Sequence, residues 1–324
     1  LSSLGTALFI AAGGGLLSSI VSRENYRDAL RQTKMLGAVS SILGGIIGGT
    51  VVSYMVFTAA FLFDAFSFIA GGAAAIAISS STIPEHGTVP AGTPTNRLIQ
   101  WKEDILAGFK FLKRLKIVMN IALLLMCLNL FLAPLSIILP IMVREGQKLP
   151  AWYLGILQTS LSVGVLLTSV FLGFVAKRLR NSQIICLGFV LVGMGLATLS
   201  VTKGSALPVV VFVCVGTGMT AAMILLSTQV MTAVPDAFRA RFSAASSFLI
   251  DISRPAGLAA SGLMVDSFGI NMALAMVGLG VVALSPVIFL IPKFSVFVDS
   301  KPEEAGLLIR QWYPSVYCGA GVGG

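Results

Sequence analysis

Nine apolar segments divide this chain of 324 residues, and each is about as long as a helix that crosses a bilayer. Such a helix needs roughly 20 predominantly apolar residues. Only 11% of the residues are charged, against about 25% in an ordinary soluble domain. We therefore predict an all-α membrane protein of the helical-bundle type. Its predicted spans are 1–21, 35–55, 57–80, 117–143, 151–176, 184–201, 207–230, 244–266 and 270–291.

The chain also contains an internal repeat. Residues 21–52 and 234–265 align without a gap at an offset of 213 residues, so that Gly44 pairs with Gly257. In both copies a charged loop runs into an apolar segment rich in small residues. Parallel repeats of this kind build one large class of membrane transporters.

The same offset predicts how the bundle is divided. Subtracting 213 from the positions of the last three spans gives the positions of the first three. The three spans within 117–201 have no counterpart in the chain at this offset. We therefore expect a parent protein with twelve spans, six plus six, of which nine are present and three would precede Leu1. The expected parts are 1–80 (the rest of an N-terminal bundle), 81–116 (a linker), 117–291 (a C-terminal bundle) and 292–324 (a tail).

Basic residues indicate the orientation. With alternate connections assigned to opposite sides, eighteen of the 22 Lys and Arg residues fall on one side and three on the other. The positive-inside rule makes the crowded side cytoplasmic. Leu1 is then outside the cell (inner) membrane and the tail is inside. Because the net charge of +9 lies in short loops, we expect no nucleic-acid partner.

Two connections outside the spans carry further predictions. Residues 98–115 of the linker show apolar positions at steps of three or four, which is typical of an amphipathic helix on the cytoplasmic leaflet or of a helix that joins two bundles. For the tail, 292–324, we expect disorder or a frameshifted product.

Residues suited to catalysis or metal binding are scattered. Cys127, Cys186 and Cys214 lie singly in apolar segments, Cys318 is in the tail, and His86 is the only histidine. These positions form neither a zinc-ligand spacing nor a catalytic triad. We expect no enzyme activity, no metal and no cofactor.

Charged side chains inside spans are costly and are rarely without function. Asp64, among several phenylalanines, is the first candidate for taking up and releasing a proton; a hydrogen-bonding role is the alternative. Asp251 and Arg254 are three residues apart, which predicts either a structural ion pair on one helical face or a proton or substrate switch.

Six further side chains within spans are candidates for a substrate cavity, through apolar contacts or amide hydrogen bonds. Each is also a candidate for simple helix packing. They are Phe66, Met126, Asn129, Phe131, Gln158 and Gln229.

The run from Gly44 to Gly49 reads GGIIGG. With Gly45 in the place of proline, it is similar to the antiporter motif GPxxGG of the major facilitator superfamily, and the chain resembles in particular that family's drug, macrolide and siderophore exporters. Gly44, Gly45, Gly48 and Gly49 are the glycines of this run. Small residues in such rows let helices approach closely, either as static packing or as a seam where two halves rock.

Cytoplasmic loops add to this resemblance. GFVAKRLR, from Gly173 to Arg180, is similar to the family's GxxADRxGRR loop with Lys177 in place of the acid. VPDAFRAR is similar to the exporters' VPDELRGR, and FLFDAFSF to their FLxNAxSF. The loop residues concerned are Gly173, Lys177, Arg178, Asp236, Arg239 and Arg241. For Lys177 and Arg178 the simple alternative is that they only set topology.

The resemblance implies a secondary transporter that exports a small amphipathic compound by alternating access. Its expected partners are the lipid bilayer, that compound and protons, and we expect a monomer. The alternative is a truncated, non-transporting membrane protein or assembly partner.

Overall fold

The computed structural model describes residues 21, 25–54, 62, 65–73, 108–150, 152–202, 204, 206–235 and 239–314. These residues form helices and no strand. Helical residues occur at 62, 65–73 and 108–114, and the helices with defined bounds are α1 (Tyr26–Tyr54), α2 (Lys116–Leu132), α3 (Leu135–Ile141), α4 (Trp152–Val175), α5 (Asn181–Leu199), α6 (Ala206–Ala233), α7 (Arg239–Asp251), α8 (Arg254–Leu284), α9 (Phe294–Asp299) and α10 (Pro302–Trp312). A π-helical turn, Met142–Gly146, follows α3, and a 3₁₀ turn, Pro286–Leu290, follows α8.

Five stretches of the described residues are long and apolar enough to cross a membrane. They are Lys116–Gly146, Trp152–Val175, Asn181–Leu199, Ala206–Ala233 and Phe242–Leu290. The first four coincide within a few residues with spans predicted from the sequence, and the fifth covers the last two predicted spans together. The prediction of nine spans is not tested completely, because residues 1–20 and most of 55–80 lie outside the described residues.

Gly269 divides the 49-residue fifth stretch. Its φ of 77° and ψ of 166° interrupt the helical geometry within α8. A positive φ of this kind is easy for glycine and strained for other residues. The interruption lies between the predicted spans 244–266 and 270–291.

Helix α6 is central to the bundle and packs against α1, α4, α5 and α10. Glycines set the closest approaches in this part of the molecule, because a Cβ on any of them would meet a backbone carbonyl of the neighbouring helix. The pairs are Gly164 with Gly216 (α4 and α6), Gly188 with Gly218 (α5 and α6) and Gly193 with Gly278 (α5 and α8). Small residues thus bring backbones into contact where no hydrophobic effect drives association.

The segment after the last predicted span is folded. Phe294, Phe297 and Val298 of α9 are buried, as are Ala305 and Ile309 of α10. The prediction of disorder for 292–324 is therefore wrong for the helical residues 294–312. The reason is that apolar side chains at short spacing give both helices a face that packs against α5 and α6.

Candidate functional site

An interruption between α7 and α8 organises the candidate site. The chain leaves the helix at Ile252 and Ser253, and Pro255 lies in the first turn of α8. Proline has no N–H, so it cannot continue the ladder of helical hydrogen bonds back to α7. The carbonyl groups at the end of α7 therefore need other partners.

Helix α2 provides those partners. The Asn129 amide nitrogen donates to the Ile250 carbonyl at 3.3 Å and to the Asp251 carboxylate at 3.4 Å. The Ser253 hydroxyl contacts the Met126 carbonyl at 2.8 Å and the Ile250 carbonyl at 3.2 Å. The structure thus brings three predicted site residues, Met126, Asn129 and Asp251, together at the interruption.

The predicted ion pair between Asp251 and Arg254 is not formed. Both side chains are exposed and lie in the described part of the chain, and no salt bridge joins them there. The prediction assumed one continuous helix, in which residues three apart share a face. Because the interruption falls between the two residues, Asp251 ends one helix and Arg254 begins the next.

A cavity of about 410 Å³ lies beside the interruption. Helices α1, α2, α6 and α7 all contribute to its wall, which combines apolar side chains with hydroxyls and one ammonium group. The residues that line it are Tyr26, Leu30, Lys34, Val118, Ile121, Ala122, Leu125, Met223, Leu226, Ser227, Val230, Met231, Phe242, Ser243, Ala244, Ser246, Ser247 and Ile250. Ile250 links this cavity to the hydrogen bonds made by Asn129.

The internal repeat is visible in this wall. At the offset of 213 residues, Leu30 of α1 aligns with Ser243 of α7, and Lys34 aligns with Ser247. All four residues line the same cavity. Equivalent positions of the two copies therefore face one space. The sequence prediction did not include this wall, although the repeat offset is a signal that could have identified it.

None of the six predicted cavity residues lines this cavity. The Met126 carbonyl and the Asn129 amide act at the interruption nearby. The Phe131 ring packs where a Cβ on Gly280 would lie, so it fills a gap in the helix contact. Gln158 is exposed, and so is Phe66, with 69% of its surface accessible.

Gln229 was a candidate for a substrate cavity or for helix packing, and in the structure its side chain joins two helices. It is only 3% exposed, and its amide nitrogen donates to the Phe297 carbonyl at 2.5 Å and to the Ser300 carbonyl and hydroxyl at 2.9 Å. This amide joins α6 to α9. A second tie is made by Asp299, whose carboxylate accepts from the Ser182 backbone at 2.8 Å and from its hydroxyl at 2.9 Å, at the N-terminus of α5. Sequence reasoning missed Asp299 because it lies outside the spans.

Most of the predicted motif residues lie in α1 and around the end of α4. Gly44 lies in α1, Gly173 lies near the end of α4, and no described residue comes within 4 Å of the position of a Cβ on either glycine. Lys177 and Arg178 are exposed, and the Arg178 guanidinium lies 4.9 Å from the centre of the Phe174 ring. Gly45, Gly48 and Gly49 are in the helical backbone of α1.

Four predicted residues are described only in part or not at all. Arg239 and Arg241 lie in the first turn of α7, and their side chains are outside the described part. Asp64 and Asp236 lie outside the described residues. Their proposed roles stay predictions.

The sequence was also compared with models of known protein families and with curated proteins. The model of the Major Facilitator Superfamily matches residues 1–258 of the 324. The comparison with curated proteins returned no match.

Proposed function

The chain belongs to the major facilitator superfamily, and we propose that it is a proton-coupled exporter of a small amphipathic compound that works by alternating access. The family supports a multi-pass membrane protein and a secondary transporter in general. The exported compound we propose is a drug, a macrolide, a siderophore or a similar molecule.

The observation that carries the proposal is the wall shared by the two repeats. Leu30 and Lys34 of the first copy and Ser243 and Ser247 of the second face one cavity of about 410 Å³. Transporters built from repeats bind their substrates at the interface between the repeats and expose that site alternately to the two sides. A cavity at this junction changes shape when one repeat rocks against the other.

The chemistry of the wall fits an amphipathic ligand. Met223 and Met231 offer flexible, polarizable surface, which adapts to varied apolar groups. Serine hydroxyls along α7 supply hydrogen bonds to a polar edge. Lys34 is the charged residue among those that line the cavity, so the wall favours neutral and anionic compounds over cations.

Proton coupling is proposed through Asp251, together with Asp64. Asp251 directly follows the cavity residue Ile250, and its carboxylate accepts a hydrogen bond from Asn129 on another helix. A proton on this carboxylate removes the negative charge that strengthens that bond. Protonation therefore loosens the link between α2 and the interrupted helix, and deprotonation restores it.

Transport by the purified full chain in proteoliposomes tests the proposal. A pH gradient across the membrane should drive accumulation of a radiolabelled uncharged macrolide lactone or an iron siderophore, and nigericin, which dissipates the gradient, should abolish it. Asp251→Asn and Asp64→Asn, tested separately, should keep binding and lose the response to the gradient. Accumulation equal to that of protein-free vesicles for every compound would refute export and would favour a non-transporting membrane protein.

A further inference from the structure

A second cavity, of about 350 Å³, lies away from the proposed transport site. It is an apolar groove between α4, α5 and α6. Leu167 and Phe171 of α4 form one side, Leu187 and Leu191 of α5 form the other, and Gly218 of α6 lies at the base. The groove exists because α5 and α6 touch at Gly188 and Gly218, where neither helix has a side chain.

The groove offers little to a polar ligand. Thr168 and Thr217 are the polar residues of its lining. The Thr168 hydroxyl already donates at 3.0 Å to the carbonyls of Gly164 and Thr217, and the Thr217 hydroxyl donates at 2.9 Å to the Val213 carbonyl. The remaining surface suits a hydrocarbon.

The groove lies at membrane depth and opens outward. Its walls belong to three of the stretches that are long and apolar enough to cross a membrane. Phe171 and Leu187 are each 56% exposed, which is costly in water but not in contact with acyl chains. Along α4 the lining runs from Leu167 to Val175, about 12 Å of helix rise.

Positive charge lies at one end of the groove. Leu179 completes the lining there, and Lys177 and Arg178 directly precede it with exposed side chains. The Arg178 guanidinium lies over the Phe174 ring at 4.9 Å, which holds the cation close to the apolar surface. Basic residues at the edge of the hydrocarbon attract anionic lipid headgroups.

We propose that this groove binds an anionic phospholipid, with an acyl chain between α4 and α5 and the phosphate at Lys177 and Arg178. The two parts of such a lipid match the two parts of the site: hydrocarbon against the apolar groove, and negative charge against the two basic side chains. The lipid would act as a structural partner at the end of the bundle that the basic loops predict to be cytoplasmic. This proposal does not depend on the transport function.

Quenching of a tryptophan by brominated lipids measures such binding in the full chain. Phe171→Trp reports from the groove, and Ile156→Trp reports from the opposite end of the same helix, in a background where Trp101, Trp152 and Trp312 are replaced by phenylalanine. Each protein is reconstituted into vesicles of phosphatidylcholine and phosphatidylglycerol, with bromine on one lipid or the other.

Quenching of Phe171→Trp should show that phosphatidylglycerol binds at least about fivefold more tightly than phosphatidylcholine. This is the preference expected from one basic residue near an anionic surface. At Ile156→Trp the two lipids should bind about equally. Adding Lys177→Gln and Arg178→Gln should remove the preference in the groove, as should high salt. Adding Arg144→Gln and Lys148→Gln, in the connection before α4, should leave it unchanged.

Two results would overturn the proposal. Equal quenching by the two brominated lipids at Phe171→Trp would show that the groove meets lipid without recognising a headgroup. Weak quenching by both, compared with Ile156→Trp, would show that another part of the chain covers the groove. Because the replaced lysine and arginine are exposed, a normal elution profile of each variant in size-exclusion chromatography serves as the folding control.

Discussion

Gly44 in the first copy of the repeat and Gly257 in the second occupy aligned positions, yet they have opposite surroundings. A Cβ on Gly257 would lie 2.6 Å from the Leu130 carbonyl and 2.8 Å from the Ala133 Cβ, whereas none of the described residues lies within 4 Å of the same point on Gly44. The helices differ as well. Residues 26–52 of the first copy lie in the single 29-residue helix α1, and the second copy is interrupted at Ile252 and Ser253.

One substitution explains much of this difference. Pro255 of the second copy aligns with Ile42 of the first. The proline ends the helical ladder, and the interrupted segment then packs tightly on α2 through Ser253 and Gly257. The comparison teaches that a small residue permits close approach and does not cause it, because a second backbone must also be present.

Matched glycine substitutions should show the largest effect. Gly257→Ala forces a methyl group into the Leu130 carbonyl, so it should lower the free energy of unfolding by about 1–3 kcal/mol. Gly44→Ala should raise it by up to about 1 kcal/mol through helix propensity alone. Thermal unfolding in one detergent, followed by size-exclusion chromatography, measures both. If the two variants shift in the same direction, the two copies do not differ in the way the structure indicates.

Matched serine substitutions should have an intermediate effect. Ser253 contacts the Met126 carbonyl at 2.8 Å, and Ser40 is its exposed counterpart in α1. Ser253→Ala should cost about 1 kcal/mol, as expected for one hydrogen bond, and Ser40→Ala less than about 0.5 kcal/mol. The same unfolding assay applies. An equal loss in both variants would mean that the tie to α2 does not distinguish the copies.

A substitution at Gly262 tests whether the surroundings of a glycine or its position in the second copy determines the change in stability. Gly262 belongs to the second copy but, like Gly44, has no neighbour among the described residues within 4 Å of the position of a Cβ. Gly262→Ala should therefore stabilise the protein by roughly 0.5–1 kcal/mol. Destabilisation comparable to that of Gly257→Ala would show that the whole second copy is tightly packed.

Replacing Pro255 with the residue of the first copy should change stability least. Pro255→Ile should alter the free energy of unfolding by about 0.4–1 kcal/mol, because it changes the conformational entropy of the unfolded chain. It should reduce gradient-driven transport several-fold, because a continuous helix would free Asn129 from the end of α7. Pro286→Ile, at an exposed helix start, is the control. Unchanged transport in the Pro255 variant would show that the interruption is not needed.

Much of the architecture could be predicted from the sequence because the bilayer imposes it. Runs of apolar residues such as 151–176 and 207–230 must form helices in lipid, where every backbone polar group needs an internal partner. The family resemblance at Gly44 and at Gly173 agrees with the family match over residues 1–258. The export branch, the proton coupling and the number of spans stay predictions.

The candidate site was less predictable, as two residues show. Gln229 is an amide in an apolar span, a pattern that fits both a substrate ligand and a helix tie, and its contacts with Phe297 and Ser300 became visible only in the structure. Asp251 and Arg254 are three residues apart, but that spacing brings side chains together only in a continuous helix.

The sequence by itself determined that this chain is helical, crosses a membrane and carries two copies of one unit, since hydropathy and repeat spacing are local properties of the residues. The tertiary structure decided which copy is interrupted and closely packed, and where the repeats share a cavity. The reason is that these features depend on what lies opposite each residue. Gly44 and Gly257 are the same amino acid at the same place in the repeat, and within the described part of the chain only Gly257 meets a neighbouring backbone.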